Sequence, residues 1–423
     1  MLDVKAMRED PTPFRRGLAR RNLADAVDRI LAADERRRSL TQRVEDLRAR
    51  QNRAGKEIGK ASGADRDRLI AEVAEVSKDL GGLEPELEAA EADLTRLLAE
   101  TPNLPHDSAP DGVTDDDAVE VRRVGEPRAF DFEPRDHAAI AEALGILDTA
   151  RGARTSGSRF VYLLGDLVFV ELALVRYALD VLAAEGFTPV VPPVLVREEA
   201  MYGTGFLPTD EANLYVTSED NLYLTGTSEV ALAALRLGEI VDEADLPQRF
   251  AGFSTCFRRE AGSYGKDLGG MFRVHQFDKV EMFAFARPED SWDEHERLVA
   301  IEERIVGGLE LPYRVVNVAA GDLGGSAAKK YDLEAWLPGQ QRYREVTSCS
   351  NCTDYQARRL QARVRRTGGS VEPLHTLNGT ATAVGRTIIA IIENHQRADG
   401  TVALPAALHP YLPAGLRDLS PRA

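Results

Sequence analysis

The chain has 423 residues and a mass of 46.4 kDa, which at roughly 150 residues per domain suggests two or three domains. Apolar residues make up 43% and charged residues 29%, the balance of a soluble globular protein. Its 53 Lys and Arg against 69 Asp and Glu leave a net charge of −16. That excludes general coating of nucleic acid or an anionic membrane and leaves room for a local basic patch. The longest apolar stretch, 167–184, is interrupted by Glu171, Arg176 and Asp180, so no membrane span is predicted. The N-terminal MLDVKAMREDP carries no apolar leader segment. Cys256, Cys349 and Cys352 cannot build a disulfide framework, and a reducing, cytoplasmic setting is expected.

Residues 26–99 carry two long helical patterns. The first places Ile30, Ala33, Leu40, Val44, Leu47, Ala54 and Ile58 on one stripe, with polar Arg37 and Gln51 in the series; the second runs Leu69, Val73, Val76, Leu80, Leu83, Leu87, Ala90, Leu94, Leu97. Steps of three and four are the seam of a coiled coil. The turn signal at 61–65 predicts an antiparallel hairpin. Residues 26–62 hold ten basic and six acidic side chains, and 64–98 hold four and ten. This asymmetry reads either as mutual support between the two helices, the favoured reading, or as a basic stripe for a polyanion. Gly81, Gly82 and Pro85 predict a kink or break in the second helix.

Residues 101–128, rich in Pro, Asp and Gly, read as a linker. Beyond it, 187–196, 222–224, 280–285 and 313–318 read as strands, and 168–184 and 387–395 as helices. Strands outnumber crossover helices, which predicts a largely antiparallel sheet.

Two stretches carry chemistry. Phe257-Arg258-Arg259-Glu260 leads through a Gly-rich loop to FRVHQFDKVE at 272–281; Arg suits a phosphate or carboxylate held by two hydrogen bonds. The run LNGTATAVGRT at 377–387 is a small-residue strand end entering an apolar helix, where Arg386 can lie over an aromatic or purine face. Each alone is weak: the first could be a surface charge cluster, and glycine loops before helices are common.

Together, and with GFTPVVPP ending at Pro193, these stretches resemble the three motifs of the class II aminoacyl-tRNA synthetases, and the chain as a whole resembles the bacterial seryl-tRNA synthetases from MLDVKAMRED to ADGTVALPAALHPYL. The resemblance implies an α+β fold: an N-terminal tRNA-binding domain with a helical hairpin arm (1–100), a linker (101–128) and a class II catalytic domain on an antiparallel β-sheet (129–423). It implies ATP-dependent activation of L-serine to seryl-adenylate, transfer to the 3′ end of serine tRNA, a homodimer built on the first motif at Pro193, and Mg²⁺ but no zinc. RNA contacts would come from the basic face of the first helix and from Arg358, Arg359, Arg363, Arg365 and Arg366, a cluster that reads equally well as an ordinary solvated helix.

The resemblance also assigns roles. Arg258, Glu345 and Arg386 match the catalytic residues, with Arg258 on the α-phosphate and the serine carboxylate. Thr227, Ser228, Glu229, Glu281 and Thr380 match the serine site. Arg259, Glu260, Val274, Phe277, Val346, Thr347 and Ser348 match the ATP site, where Phe277 and Arg386 enclose the adenine. Glu345 and Ser348 match the Mg²⁺ pair. Departures are Leu268-Gly269-Gly270, where the family commonly has Thr-Arg-Gly, and the Gly81, Gly82, Pro85 run. Cys349 and Cys352 form a CxxC with no second ligand pair, which is read as incidental. Three rivals stand beside this reading: a paralogue activating serine for a carrier protein, a second-copy ligase, and a silent RNA-binding relative. The retained arm disfavours the first; retention of Arg258, Glu281, Glu345 and Arg386 disfavours the last.

Overall fold

The structure, a computed structural model, describes residues 1–261 and 270–421. It divides into two compact units, Met1–Pro102 and Asn103–Ala423.

In the first unit two short helices precede α1 (Ala26–Ile58) and α2 (Ala64–Glu100). These two pair through Leu40 and Val44 against Val76, Leu80, Leu83 and Ala90, flanked by Leu47 and Leu87. Gly63 starts α2 at φ +58, a value that favours glycine. Two polar positions in the seam are accounted for. Arg37 bonds Asp34 at 3.0 Å, and buried Asp34 also takes Arg8 at 2.7 Å. Gln51 donates to Ser77 at 2.8 Å. Between the helices Arg48 pairs with Glu84 (2.7 Å) and Arg50 with Glu72 (3.2 Å). Among the described residues Arg36, Arg38, Arg43, Arg53, Lys56 and Lys60 have no acidic partner. Mutual support thus accounts for part of the positive charge and leaves the rest exposed.

Of the kink or break expected at 81–85, the break does not occur: α2 is continuous through Pro85. Pro85, Gly81 and Gly82 are all exposed. The carbonyl that loses its donor is therefore on the solvated side, while Leu80, Leu83 and Leu87 hold the buried side in register.

The second unit centres on eight strands: β1 (Val119–Val124), β2 (Thr188–Val190), β3 (Gln248–Phe257), β4 (Gln276–Ala286), β5 (Tyr313–Asn317), β6 (Lys329–Leu337), β7 (Arg342–Thr353) and β8 (His375–Ala383). The order is β1-β5-β6-β7-β8-β4-β3-β2, antiparallel throughout except the β2–β3 pair. The expected strand 187–196 is interrupted because Pro192 and Pro193 cannot donate to a ladder.

The stretch 101–128 is not a free linker. It carries edge strand β1, and its non-strand part bonds to loops of the sheet: the Asn103 amide donates to the carbonyls of Ser326 and Cys352 (both 2.9 Å), and the Ala320 and Gly321 amides donate to those of Pro110 and Gly112. Proline and glycine there exclude regular elements but not fixed backbone pairing.

Three helices cover one face of the sheet: α3 (Asp166–Ala184), α5 (Ser291–Gly308) and α6 (Val384–Asn394), α4 (Glu229–Ala233) being a short helix on the other side. Leu174, Leu182, Leu298, Ile305, Ile388 and Ile391 meet Val280, Met282 and Leu333 in one core. Alternation along β4 sends Glu281 to the opposite face, where Phe283 and Phe285 pack with Leu232 and Leu360 beside the cavity described below.

Replacing Pro85 by Ala should restore one helical hydrogen bond and raise the stability of a 1–102 fragment by about 1–3 kcal/mol. Urea unfolding followed by circular dichroism measures it; an unchanged midpoint would mean that the exposed proline costs this helix nothing.

Candidate active site

This second face holds a cavity of about 590 Å³. Strands β4, β6, β7 and β8 form its floor, and the turn before α4 and the first turn of α6 form its walls.

Two strand irregularities decide which side chains enter. Between β6 and β7, Leu333 pairs with Thr347 but Glu334 pairs with Glu345, so Val346 is an extra residue. In a regular strand Glu345 and Ser348, three apart, would face opposite ways; the bulge turns both into the cavity. Between β4 and β8, Val280 pairs with Thr382 but Glu281 with Thr380, so Ala381 is extra. Thr380 and Asn378 thereby share the cavity face with Glu281, whereas Thr382 bonds Thr387 (2.9 Å).

One end of the cavity is acidic and hydroxyl-rich. Glu229 opens α4 and accepts from Gln356 (2.7 Å) and Asn378 (3.0 Å). Thr380 donates to Glu281 at 3.2 Å; Lys279 pairs with Glu281 and donates to Thr227 at 2.7 Å. Burial first, then the charge of Glu281, pushes the Glu229 carboxyl up to about 7. Two carboxyls and two hydroxyls around a small space suit an ammonium and a hydroxyl.

The centre is cationic and aromatic. Arg258 follows β3 directly; its Nε donates to the Gly226 carbonyl (3.1 Å) and its guanidinium lies 5.3 Å over Phe277. Val274 lines the same space. Glu260 holds φ +51, unusual for a residue with a side chain, and pairs with Arg273 at 3.2 Å. At the far end Arg386 reaches Glu345 (3.3 Å) from the first turn of α6. Burial pushes the Glu345 carboxyl up, but Arg386, Lys330 and Arg258 outweigh it and hold it at about 2.

Most of the residues expected from sequence therefore meet in one cavity: Thr227, Glu229, Arg258, Glu260, Val274, Phe277, Glu281, Glu345, Val346, Thr347, Ser348, Thr380 and Arg386. Three do not line it. Ser228 is buried and donates to the Gly252 carbonyl (3.2 Å), Arg259 lies 5.7 Å over Tyr215, and Pro193 is exposed elsewhere. The Arg386 guanidinium lies 4.9 Å over Phe272, where Arg344 also stacks at 3.8 Å. Thr347 gives its hydroxyl proton to Glu302 (3.0 Å).

The cluster at 358–366 is not an open basic patch. Arg359 is buried against the Tyr202 and Leu207 carbonyls, Arg358 pairs with Asp354, Arg365 with Asp242, and Arg366 with Glu243, Glu289 and Glu372. Its residues are divided between the helix Tyr355–Leu360 and a short strand, Arg363–Arg365. Cys349 and Cys352 are both buried; Cys352 donates to Ser326 (3.6 Å) and Cys349 to the His295 carbonyl (3.9 Å). Leu268 and Gly269 lie outside the described residues.

Sequence reading missed Lys279, Lys330, Phe272, Gln356 and Asn378. Asn378 lies two residues before Thr380, so strand alternation alone could have found it. Lys330 has no local signal, because its place depends on the pairing of β6 with β7.

Comparison with known proteins gives consistent results. The family model of the seryl-tRNA synthetase N-terminal domain matches residues 1–105, and that of the class II tRNA synthetase core domain (G, H, P, S and T) matches residues 214–395. The chain is 51% identical over 416 residues to the serine–tRNA ligase of Streptomyces coelicolor and 50% over 413 residues to that of Thermobifida fusca, in each case covering 97% of both chains. A crystal structure of seryl-tRNA synthetase from Pyrococcus horikoshii complexed with ATP superposes with a TM-score of 0.93 at 43% identity, covering 100% of both chains. The cytoplasmic enzyme of Naegleria fowleri in complex with AMP superposes at 0.88 and 36% identity, covering 100% of this chain and 99% of that one.

Glu229 also predicts a pH effect. Its carboxyl titrates at about 7 when folded against 4.5 ordinarily, so between these values the folded state binds more protons and this group's contribution to stability falls as pH rises. The stability of Glu229→Gln relative to the parent should therefore improve from about pH 4.5 to 7. Thermal melts of both proteins across that range measure it, and a constant difference would mean that Glu229 is already ionised throughout.

Proposed function

The chain belongs to the seryl-tRNA synthetase family, the class II ligases that join serine to its tRNA, and on that premise we propose how its cavity divides between amino acid, nucleotide and metal. The observation that carries the division is Arg258, which lines the same cavity as Glu229, Glu281 and Glu345 and whose charge acts on both Glu229 and Glu345.

At the first end Glu229 and Thr227 take the serine ammonium, and Glu281 with Thr380 takes the side-chain hydroxyl. A bound ammonium favours the ionised form of Glu229. Glycine and alanine lack the hydroxyl that Glu281 and Thr380 would bind and are disfavoured; threonine is excluded by shape, the weaker filter. Arg258 binds the serine carboxylate and the α-phosphate of ATP. A carboxylate oxygen attacks the α-phosphorus, the bond to the β-phosphate oxygen breaks, and pyrophosphate leaves. The 3′-hydroxyl of the terminal adenosine of the tRNA then attacks the seryl carbonyl and releases AMP. The side chains position the reactants and stabilise charge without forming a covalent bond to them.

Glu345 and Ser348 offer a divalent cation hard oxygen ligands, and a carboxyl held at about 2 is ionised at any working pH. The residues fit Mg²⁺, which when bound would neutralise phosphate charge. Two further assignments rest on surfaces. The unpaired basic residues of α1 fit the phosphates of tRNA. Exposed Val168, Phe169 and Leu172 on α3, with Val191 (83% exposed) and Leu195 flanking Pro193, fit a second copy of the chain in a homodimer.

Arg258→Ala should lower serine-dependent ATP–pyrophosphate exchange by on the order of a hundredfold or more with the fold intact. Near-parental exchange by the folded variant would remove Arg258 from the reaction.

Deleting residues 30–98 should spare pyrophosphate exchange and abolish charging of serine tRNA, because the catalytic unit has a core of its own. Normal charging by the truncated protein would assign the arm another role.

A further inference from the structure

We propose that Lys330 binds the β- and γ-phosphates of ATP and the pyrophosphate that leaves. The inference rests on the ATP-dependent reading of the cavity given above.

The placement comes from strand pairing. On β6 and β7, Lys330 stands opposite Ser350, Asp332 opposite Ser348 and Glu334 opposite Glu345. Opposed residues of an antiparallel pair share a face, so Lys330 lies on the face of Glu345 and Ser348. It lines the same cavity, as does Gly324–Ala327, the run just ahead of β6.

The cations of the cavity divide by position. Lys279 is held by Glu281 and Thr227 at the amino-acid end. Arg258 is fixed at the centre by the Gly226 carbonyl, and Arg273 is paired with Glu260. Arg386 is paired with Glu345. A triphosphate extending from Arg258 toward Glu345 brings several negative charges to a region that already contains the carboxylates of Glu345 and Asp332. Lys330 is the lysine on that side. Its ammonium pairs with Asp332 at 3.1 Å and its side chain is 21% exposed. An ammonium has three donors, so the pairing with Asp332 sets its direction and leaves donors for phosphate oxygens.

When serine attacks, the bond between the α-phosphorus and its bridging oxygen breaks and both electrons stay on the pyrophosphate. Lys330 is placed to neutralise that charge without transferring a proton. A purely structural ion pair would do none of this, and AMP separates the two cases because it lacks the β- and γ-phosphates.

The test uses the full-length protein with Mg²⁺. Serine-dependent pyrophosphate exchange gives KM for ATP and for pyrophosphate, and inhibition gives the affinity for AMP. Lys330→Gln should raise both KM values by about tenfold to a hundredfold and leave AMP inhibition unchanged, while Lys330→Arg keeps most of the affinity. Should Lys330→Gln misfold because Asp332 is left buried and unpaired, Lys330→Gln/Asp332→Asn removes both charges and is measured instead. Equal losses for ATP, pyrophosphate and AMP, or no loss for any, overturn the assignment. A parent protein without serine-dependent exchange would overturn the reading of the whole cavity, whereas an active parent with unaffected variants overturns Lys330 alone.

Discussion

The site depends on two single-residue insertions in its floor. A regular strand gives every second residue to one face. Glu345 and Ser348 are an odd number apart and cannot share a face without the extra residue at Val346. The extra residue at Ala381 likewise brings Thr380 and Asn378 to the side of Glu281. Because β7 and β8 are neighbours in the sheet, these bulges align the two ends of the cavity over one continuous floor. The helix-facing side keeps its apolar alternation, with Val280, Met282 and Leu333 in the core. The sheet thus remains a packing layer on one side while its other side departs from strict alternation.

Gathering this many charges in one cavity is tolerable only because each has an opposite or a donor close by. Glu281 has Lys279 and Thr380, Glu229 has Gln356 and Asn378, and Glu345 has Arg386. The two ends nevertheless differ in kind. Glu345 is dominated by cations and held at about 2, while Glu229, facing Glu281 with only amide donors in contact, rises to about 7. One acid is ionised in advance, which the proposed metal-binding role requires. The other reaches full ionisation most readily when a cation sits beside it, which in the proposed reading ties its charge to the serine ammonium.

The sequence revealed chemistry more readily than geometry. Arg258, Glu281, Glu345, Thr380 and Arg386 were identifiable because each lies in a motif of fixed order. The coiled-coil seam was identifiable because its period is local. What escaped depends on pairing between distant segments. Strict alternation along REVTSCS would have sent Glu345 and Ser348 to opposite faces, and no local feature announces the bulge. Lys330 acquires its neighbours only through β7, and Gln356 reaches Glu229 across 127 positions. Pro85 is the converse case: its local preference predicts a kink or break, yet the helix runs on through it while Leu80, Leu83 and Leu87 pack in the seam. At 101–128 composition excluded helix and strand for much of the segment, yet its backbone groups bond to distant loops of the sheet, and composition does not report that.

A chain of net charge −16 that handles nucleotide and RNA must place its positive charge locally, and ion pairing decides where. At 358–366 five arginines stand close in sequence, yet four of them are bound to acids or carbonyls, so their charge is already committed to the fold. On α1 the arginines at 36, 38, 43 and 53 lack such partners among the described residues, and their fields extend into solvent over about a Debye length. In the cavity the cations are paired, but with groups that a ligand can displace or supplement: Arg386 shares its charge with a carboxylate that binds metal in the proposed reading, and Lys330 retains donors beyond Asp332. Density of basic residues in the sequence is therefore a poor guide to where a polyanion binds. The better guide is the set of cations whose counter-charges are absent, exchangeable or themselves part of the site.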